Sequence, residues 1–145
     1  MVAALVALAV GVAPASGGFT NPYLLRLIGV TETFDFVDVG ASGESTGDSF
    51  LFREGLYRWT NGRQGSKAGR LQVQCTVTGR SGLVNCMATA FVAKGTIVAG
   101  GWFRADADFA VPVLGGTGIY RGVGGVIKAR DLSGDRTAYV FRLTR

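Results

Sequence analysis

The amino-acid sequence predicts an all-β fold, an eight-stranded antiparallel up-and-down β-barrel. Apolar residues recur with a period of two in many segments and with a period of 3.6 in few, and turn-forming clusters separate these segments. The chain of 145 residues also contains 23 glycines, which disfavours long helices. Closure into a barrel is expected because it leaves no unpaired edge strand. An eight-stranded barrel can hold one small ligand in its interior.

The predicted strands are short and are joined by short turns. They comprise residues 30–39, 50–58, 70–78, 83–92, 96–103, 109–114, 123–130 and 137–144. Segment 70–78 shows the alternation most clearly, because Leu71, Val73 and Val77 share one face and polar residues share the other. Segments 50–52 and 102–103 are apolar on both faces, which predicts that another subunit or a loop covers part of the outer surface.

The N-terminal segment predicts export from the cell. Residues 2–12 form an unbroken apolar run that is too short to span a membrane and has the length of a signal-peptide hydrophobic region. The small residues at 13–15 suit signal-peptidase cleavage. We therefore expect a signal peptide at 1–15, a lead-in segment at 16–29 and the barrel domain at 30–145, in a secreted protein without a stable membrane span. Because no Lys or Arg precedes the apolar run, the true translation start could lie upstream, and the alternative is a buried N-terminal strand or helix.

Cys75 and Cys86 are predicted to form a disulfide across a hairpin. Residues 79–82, Gly-Arg-Ser-Gly, have the composition of a turn, and folding the chain at its centre pairs residues whose numbers sum to 161, the two cysteines among them. A loop closed by a hydrogen-bonded Thr78–Leu83 pair places the cysteines at a non-hydrogen-bonded position, where Cα atoms approach most closely. The alternative, two small buried thiols, is favoured only if the protein is not exported.

Composition excludes several kinds of chemistry. The chain contains no histidine, which rules out a Ser-His-Asp triad, a histidine base and a histidine-ligated zinc, and we predict neither a metal site nor a cofactor. The glycine block at 115–118 is not a dinucleotide-binding loop, because Arg121 occupies the position of a required glycine and β-rich sequence follows. The net charge of +5 prompts a comparison with nucleic-acid-binding proteins, but the basic residues are scattered along the chain, so no nucleic-acid partner is expected.

The stretch at 112–125, Pro-Val-Leu-Gly-Gly-Thr-Gly-Ile-Tyr-Arg-Gly-Val-Gly-Gly, resembles the hallmark segment of the dirigent and allene oxide cyclase superfamily. Segment 47–52, followed by Leu56-Tyr57, resembles the second strand of these proteins and of their bacterial relatives, and 36–40 fits the bacterial branch. The resemblance implies an eight-stranded barrel with a mostly apolar cavity, a homotrimer and, as in plant dirigents, secretion.

The resemblance also implies candidate catalytic residues. Glu32 is similar in placement to the glutamate of the cyclases and Asp38 to an aspartate of the dirigents, and the sequence leaves open which of them lines the cavity. Asp108 lies where cyclases carry an acidic residue, and Arg121 matches an arginine of many dirigents. Gly124 stands where dirigents often have a further arginine, a departure from their pattern. For each charged candidate the alternative is a solvated outer face.

The expected partner is a small hydrophobic or phenolic ligand. The candidate ligand-binding residues are aromatic: Phe34, Phe36, Tyr57, Trp102 and Tyr120. For Tyr57 and Tyr120 the alternative is packing at strand ends. The predicted function is to guide the cyclisation or stereoselective coupling of this ligand by confinement, as an intramolecular cyclase (an isomerase) or a dirigent-type protein. The alternative is a non-catalytic, lipocalin-like carrier or an extracellular interaction protein.

Overall fold

The computed structural model describes residues 22–79 and 82–145, and it confirms the predicted closed antiparallel barrel of eight strands. Each strand pairs with the next along the chain, and the last pairs with the first. The strands are β1 (Tyr23–Val37), β2 (Ser49–Thr60), β3 (Arg63–Val77), β4 (Leu83–Val92), β5 (Gly95–Arg104), β6 (Phe109–Gly116), β7 (Gly124–Asp131) and β8 (Arg136–Thr144), with a short 3₁₀ helix (Gly118–Tyr120) before β7. The predicted signal peptide at 1–15 lies outside the described residues.

Two strands, β1 and β3, begin well before the predicted residues 30 and 70. β1 begins at Tyr23, within the segment assigned to a lead-in, and its first residues pair with β8 to close the barrel. Consecutive apolar residues such as Leu24-Leu25 hide the alternation of this part of the strand. β3 begins at Arg63 because Asn61 and Gly62, with φ angles of 51° and 74°, form a two-residue turn that joins it directly to β2.

The β3–β4 hairpin has the predicted register and the predicted disulfide. Cys75 pairs with Cys86, their Cα atoms lie 4.0 Å apart, and the two sulfur atoms are bonded. The Thr78 N–H donates to the Leu83 carbonyl at 2.9 Å and closes the loop. Both cysteines are buried, so their disulfide lies inside the barrel. A disulfide is compatible with an extracellular protein.

The apolar core fills one end of the barrel. Leu27, Leu56, Ile97 and Leu143 are at most 1% exposed, and Tyr120 from the 3₁₀ helix is buried against them. We call the other end, where β1 ends and β2 begins, the mouth end. Fewer side chains fill the barrel there, which leaves room for a cavity.

The loop between β1 and β2 at the mouth end is organised by the buried side chain of Asp48. Its Oδ1 accepts a hydrogen bond from the Val39 N–H at 2.7 Å, and its Oδ2 accepts one from the Ser45 N–H at 2.5 Å. These two backbone donors hold the pKa of Asp48 below its ordinary value, because they stabilise the charged carboxylate. The loop is therefore tied to the first residues of β2.

Large apolar side chains also lie on the outside of the barrel. Trp102 is 62% exposed, and Met87 and Leu114 are also more than half exposed. Strand alternation puts them on the outer face, because their neighbours Phe103, Cys86 and Val113 point inward. In the part of the chain that the structure describes, no helix is long and apolar enough to cross a membrane.

Candidate functional site

A cavity of about 190 Å³ lies inside the barrel, towards the mouth end. Its walls come from β2 to β8, and they are mainly apolar side chains that alternation along each strand directs inward. Cys75 and Cys86 are among the lining residues, so the disulfide forms part of the cavity wall. The cavity has the character of a small-molecule site, an apolar space with a few polar groups.

Aromatic rings flank this cavity on two sides. Phe50 and Phe52 of β2 stack with their ring centroids 6.4 Å apart. Phe103 of β5 stacks with Phe109 of β6 at 3.8 Å. Because β2 and β6 are four strands apart in a barrel of eight, the two pairs face each other across the interior. A planar ring between them would contact aromatic surface on both sides.

Glu54 is a carboxyl group within this apolar wall. It is 2% exposed, and its Oε2 atom is buried without a hydrogen-bond partner. Burial raises the pKa of Glu54 to about 7, and the neighbouring carboxylate of Asp131 acts in the same direction. Hydrogen bonding to the hydroxyls of Tyr139 and Thr31 partly opposes this rise in the pKa. Near neutral pH, Glu54 can therefore both donate and accept a proton.

Two neighbours define the surroundings of this carboxyl group. Tyr139 of β8 lines the cavity, and burial raises its pKa well above the ordinary value, so that its hydroxyl stays protonated. Gly29 of β1 provides the space for Glu54. A Cβ atom at position 29 would collide with the Glu54 carboxylate and lie 2.7 Å from the Tyr139 ring, so this position requires glycine.

The four charged candidates from the sequence lie on the surface. Glu32 is at a bulge in β1 and forms an ion pair with Lys67 at 3.2 Å. Asp38 accepts a hydrogen bond from a backbone N–H within its loop, Asp108 is exposed in the β5–β6 connection, and Arg121 is exposed at the end opposite the mouth. The structure does not bring the four together, and none lines the cavity. Their catalytic assignment stays a prediction. Among the described residues, no group of three or more His, Cys, Asp or Glu side chains could hold a metal ion.

The five aromatic candidates also lie away from the cavity wall. Phe34 is 60% exposed beyond the β1 bulge, but it stacks on Phe50 with the ring centroids 5.9 Å apart and so adjoins a lining residue at the mouth end. The remaining candidates, none of them among the lining residues, are Phe36, Tyr57, Trp102 and Tyr120. Ligand binding by these five side chains is untested and stays a prediction.

Sequence analysis missed Glu54, although a signal for it is present. Phe50, Phe52 and Glu54 alternate along β2, so a carboxyl group shares the face of two aromatic residues. The face of Thr137, Tyr139 and Phe141 on β8 shows the same pattern, with polar atoms on an apolar face. An isolated polar group on the inward face of a barrel strand is a better guide to this site than the acidic residues near the ends of strands.

Solved structures resemble the chain in fold. A pyocyanin demethylase superposes with a TM-score of 0.75 at 22% identity, covering 84% of this chain and 100% of the other. A pterocarpan synthase dirigent protein superposes with a TM-score of 0.67 at 17% identity, covering 85% of this chain and 94% of the other. The Diels–Alderase AbmU from Streptomyces koyangensis superposes with a TM-score of 0.65 at 18% identity. The match covers 82% of this chain, and the chain spans 63% of AbmU.

No protein-family model and no curated protein matches the sequence. At these identities the structural similarities establish the fold. The chain has the barrel fold of dirigent proteins and cyclases, as the resemblance of its glycine block predicted.

Proposed function

We propose that the barrel binds a small, largely apolar and aromatic molecule in its cavity and guides the cyclisation or coupling of that molecule. The observation that carries this proposal is Glu54, a buried carboxyl group with a pKa of about 7 in a wall of aromatic side chains. A structural carboxyl group would be expected to have its acceptors paired, whereas Oε2 of Glu54 has no partner. Glu54 lines the cavity, whereas its unpaired Oε2 atom lies against Gly29 of β1, so a ligand contacts this atom once the Glu54 side chain turns towards the cavity.

In this proposal, confinement of the ligand supplies most of the rate enhancement or stereoselectivity. Holding a flexible or radical intermediate between the two phenylalanine pairs restricts which of its faces can react, and such orientation can replace a large part of an entropic barrier. Glu54 in its protonated form donates to an oxygen atom on which negative charge develops, and its carboxylate form takes a proton back. The Tyr139 hydroxyl, protonated across the neutral range, donates its hydrogen bond to the Glu54 carboxylate and so positions this group in the cavity wall.

The structural relatives support this class of function. Their names describe a pterocarpan synthase of the dirigent type, a Diels–Alderase and a pyocyanin demethylase, which are proteins that act on small molecules. The carrier alternative is favoured by one observation, the small number of polar groups in the cavity wall. The two functions differ in turnover, since a carrier leaves the stereochemistry of a reactive ligand unchanged.

A stereochemical assay tests the proposal with a matched pair of variants. Phenoxy radicals generated by a separate oxidant, or a reactive polyene epoxide, are allowed to react with and without the protein, and the enantiomers are separated by chiral chromatography. We expect the protein to enrich one enantiomer. Phe52→Ala should reduce this excess by about tenfold, because it removes an aromatic wall, whereas Leu51→Ala on the outer face should preserve it. Racemic product with the wild-type protein would leave only the carrier function.

We further propose that the protein is secreted and forms a homotrimer. The disulfide supports export, and the exposed Trp102, Met87 and Leu114 supply an apolar outer surface that subunit contact would cover. Native mass spectrometry of protein purified from the culture medium of its own host should show three subunits and a retained small molecule. A monomer in that spectrum would contradict the trimer, and protein found only inside the cells would contradict secretion.

A further inference from the structure

The ionisable groups in the cavity wall are all acidic or neutral. Among the described residues, the lining side chains include the carboxyl groups of Glu54 and Asp131 and the phenol of Tyr139, but no Lys or Arg. Five phenylalanine rings supply much of the remaining surface. The faces of these rings carry negative partial charge, which attracts cations. Carboxyl groups and ring faces together favour a positively charged guest over a negatively charged one.

The unpaired Oε2 atom of Glu54 adds a specific acceptor to this field. It is buried, and no donor of the protein reaches it. A buried polar atom without a partner costs free energy, so the Glu54 carboxyl group gains a partner when it turns from Gly29 towards a ligand that supplies positive charge or an N–H group. An anionic ligand would instead bring a second negative charge to the same atom.

The distribution of charged residues between the two ends of the barrel also favours a cation. The connections between strands at the mouth end carry the exposed acidic residues Asp38, Glu44, Asp106, Asp108 and Asp135. The connections at the other end, 61–62, 93–94 and 117–123, carry Lys94 and Arg121 and no acidic residue. Two described basic residues also lie at this end: Arg104 is paired with Asp106 at 2.7 Å, and Arg136 donates to the Ser133 hydroxyl in the β7–β8 connection. Despite the net charge of +5, the acidic groups are concentrated where a ligand would enter.

We propose that the cavity selects planar aromatic cations, such as N-alkylated or protonated nitrogen heterocycles, over neutral and anionic molecules of the same size. This inference rests on the proposed function, because it names the ligand class of the same cavity. Phenylalanine rings contact the faces of the cation, and the Glu54 carboxylate neutralises its charge.

Binding of such a cation is coupled to a proton. The groups that face Glu54 are the Thr31 hydroxyl from β1, Leu71 from β3, the Asp131 carboxylate from β7 and the Tyr139 hydroxyl from β8. None of these groups brings a positive charge. In the empty cavity Glu54 is largely protonated below neutral pH, and a bound cation favours its charged form. The affinity for a cation therefore rises with pH, whereas the affinity for a neutral molecule of the same shape does not.

Three bicyclic probes of matched size test the inference on the full chain with its disulfide intact. They are 1-methylquinolinium, 1-methylnaphthalene and 1-naphthoate, which carry positive, zero and negative charge. Equilibrium dialysis at about pH 5.5 and about pH 8.5 gives the six dissociation constants. At the higher pH we expect the cation to bind about tenfold more tightly than the hydrocarbon, and the anion to bind more weakly than both. At the lower pH the preference for the cation should shrink several-fold.

Glu54→Gln provides the decisive variant, and Glu44→Gln is its control. Both remove one carboxylate, but Glu44 is exposed in the β1–β2 loop. We expect Glu54→Gln to lose the preference for the cation and its pH dependence while keeping its affinity for 1-methylnaphthalene, and Glu44→Gln, which removes one exposed charge at the mouth end, to keep both the preference and its pH dependence. If the hydrocarbon binds as tightly as the cation, or if Glu54→Gln keeps the preference, the charge selectivity is wrong and the proposed function stands. If none of the probes binds to the wild-type protein, the cavity is not a ligand site, and both proposals fail.

Discussion

Replacing Glu54 by Gln is expected to remove most of the pH dependence of stability between about pH 5 and pH 8. In the folded protein the pKa of Glu54 is about 7, above its ordinary value of 4.5, because the carboxyl group is buried. The folded state therefore holds the proton to higher pH than the unfolded state. This contribution to stability is fully present below the ordinary pKa and is lost as the pH rises through about 7. The difference corresponds to roughly 3 kcal/mol in the free energy of unfolding.

Urea unfolding at about pH 5 and about pH 8 measures this change in the free energy of unfolding. For the wild-type protein we expect a lower midpoint at the higher pH, and for Glu54→Gln a midpoint that changes much less. Glu44→Gln, an exposed control of the same chemistry, should follow the wild type. Equal pH dependence in wild-type protein and Glu54→Gln would show that the buried carboxyl group titrates normally. The acid–base role assigned to Glu54 would then lose its basis.

Removal of the disulfide is expected to cost about 3 kcal/mol in the free energy of unfolding. Cys75 and Cys86 are 11 positions apart, so their bond closes a short loop and restricts the unfolded chain. The double variant Cys75→Ala/Cys86→Ala also removes two sulfur atoms from the cavity wall without introducing polar groups. We therefore expect a lower urea midpoint together with weaker binding of aromatic probes, because the wall recedes from the ligand.

Treating the wild-type protein with a thiol reductant separates the loss of the cross-link from the loss of the two sulfur atoms in the cavity wall. Reduction removes the cross-link but leaves both sulfur atoms in place, so it should lower the midpoint nearly as far as the double variant does. Its effect on the affinity for aromatic probes should be smaller. If the double variant unfolds at the same urea concentration as the oxidised wild-type protein, the disulfide has no stabilising role in this hairpin.

The sequence predicted those parts of the fold that depend on neighbouring residues. Alternation and turn composition located all eight strands, and the bounds of β4 agree at both ends. The largest discrepancies are the beginnings of β1 and β3, which the prediction places equally late. In β1, Tyr23 and the residues after it become a strand by pairing with β8, at the far end of the sequence. Such pairing leaves little trace in a local pattern.

The candidate site illustrates the same limit. Glu32 and Glu54 are both acidic residues within strands. Each has apolar or aromatic residues two positions away on either side, so this local pattern does not distinguish their environments. In the structure, a bulge between Thr31 and Thr33 changes the phase of β1, and Glu32 lies outside beside Lys67. Glu54, in a part of β2 that pairs without interruption with β3, keeps the inward phase of Phe50 and Phe52.

By itself, the sequence determined the all-β class, the β3–β4 hairpin and the Cys75–Cys86 disulfide, because each depends on alternation and turn residues within a short stretch of chain. Only the tertiary structure decided which carboxyl group faces the cavity and which aromatic rings line it. The inward direction of a residue depends on the phase of its strand, and that phase is set by bulges and by pairing with strands that are distant in the sequence.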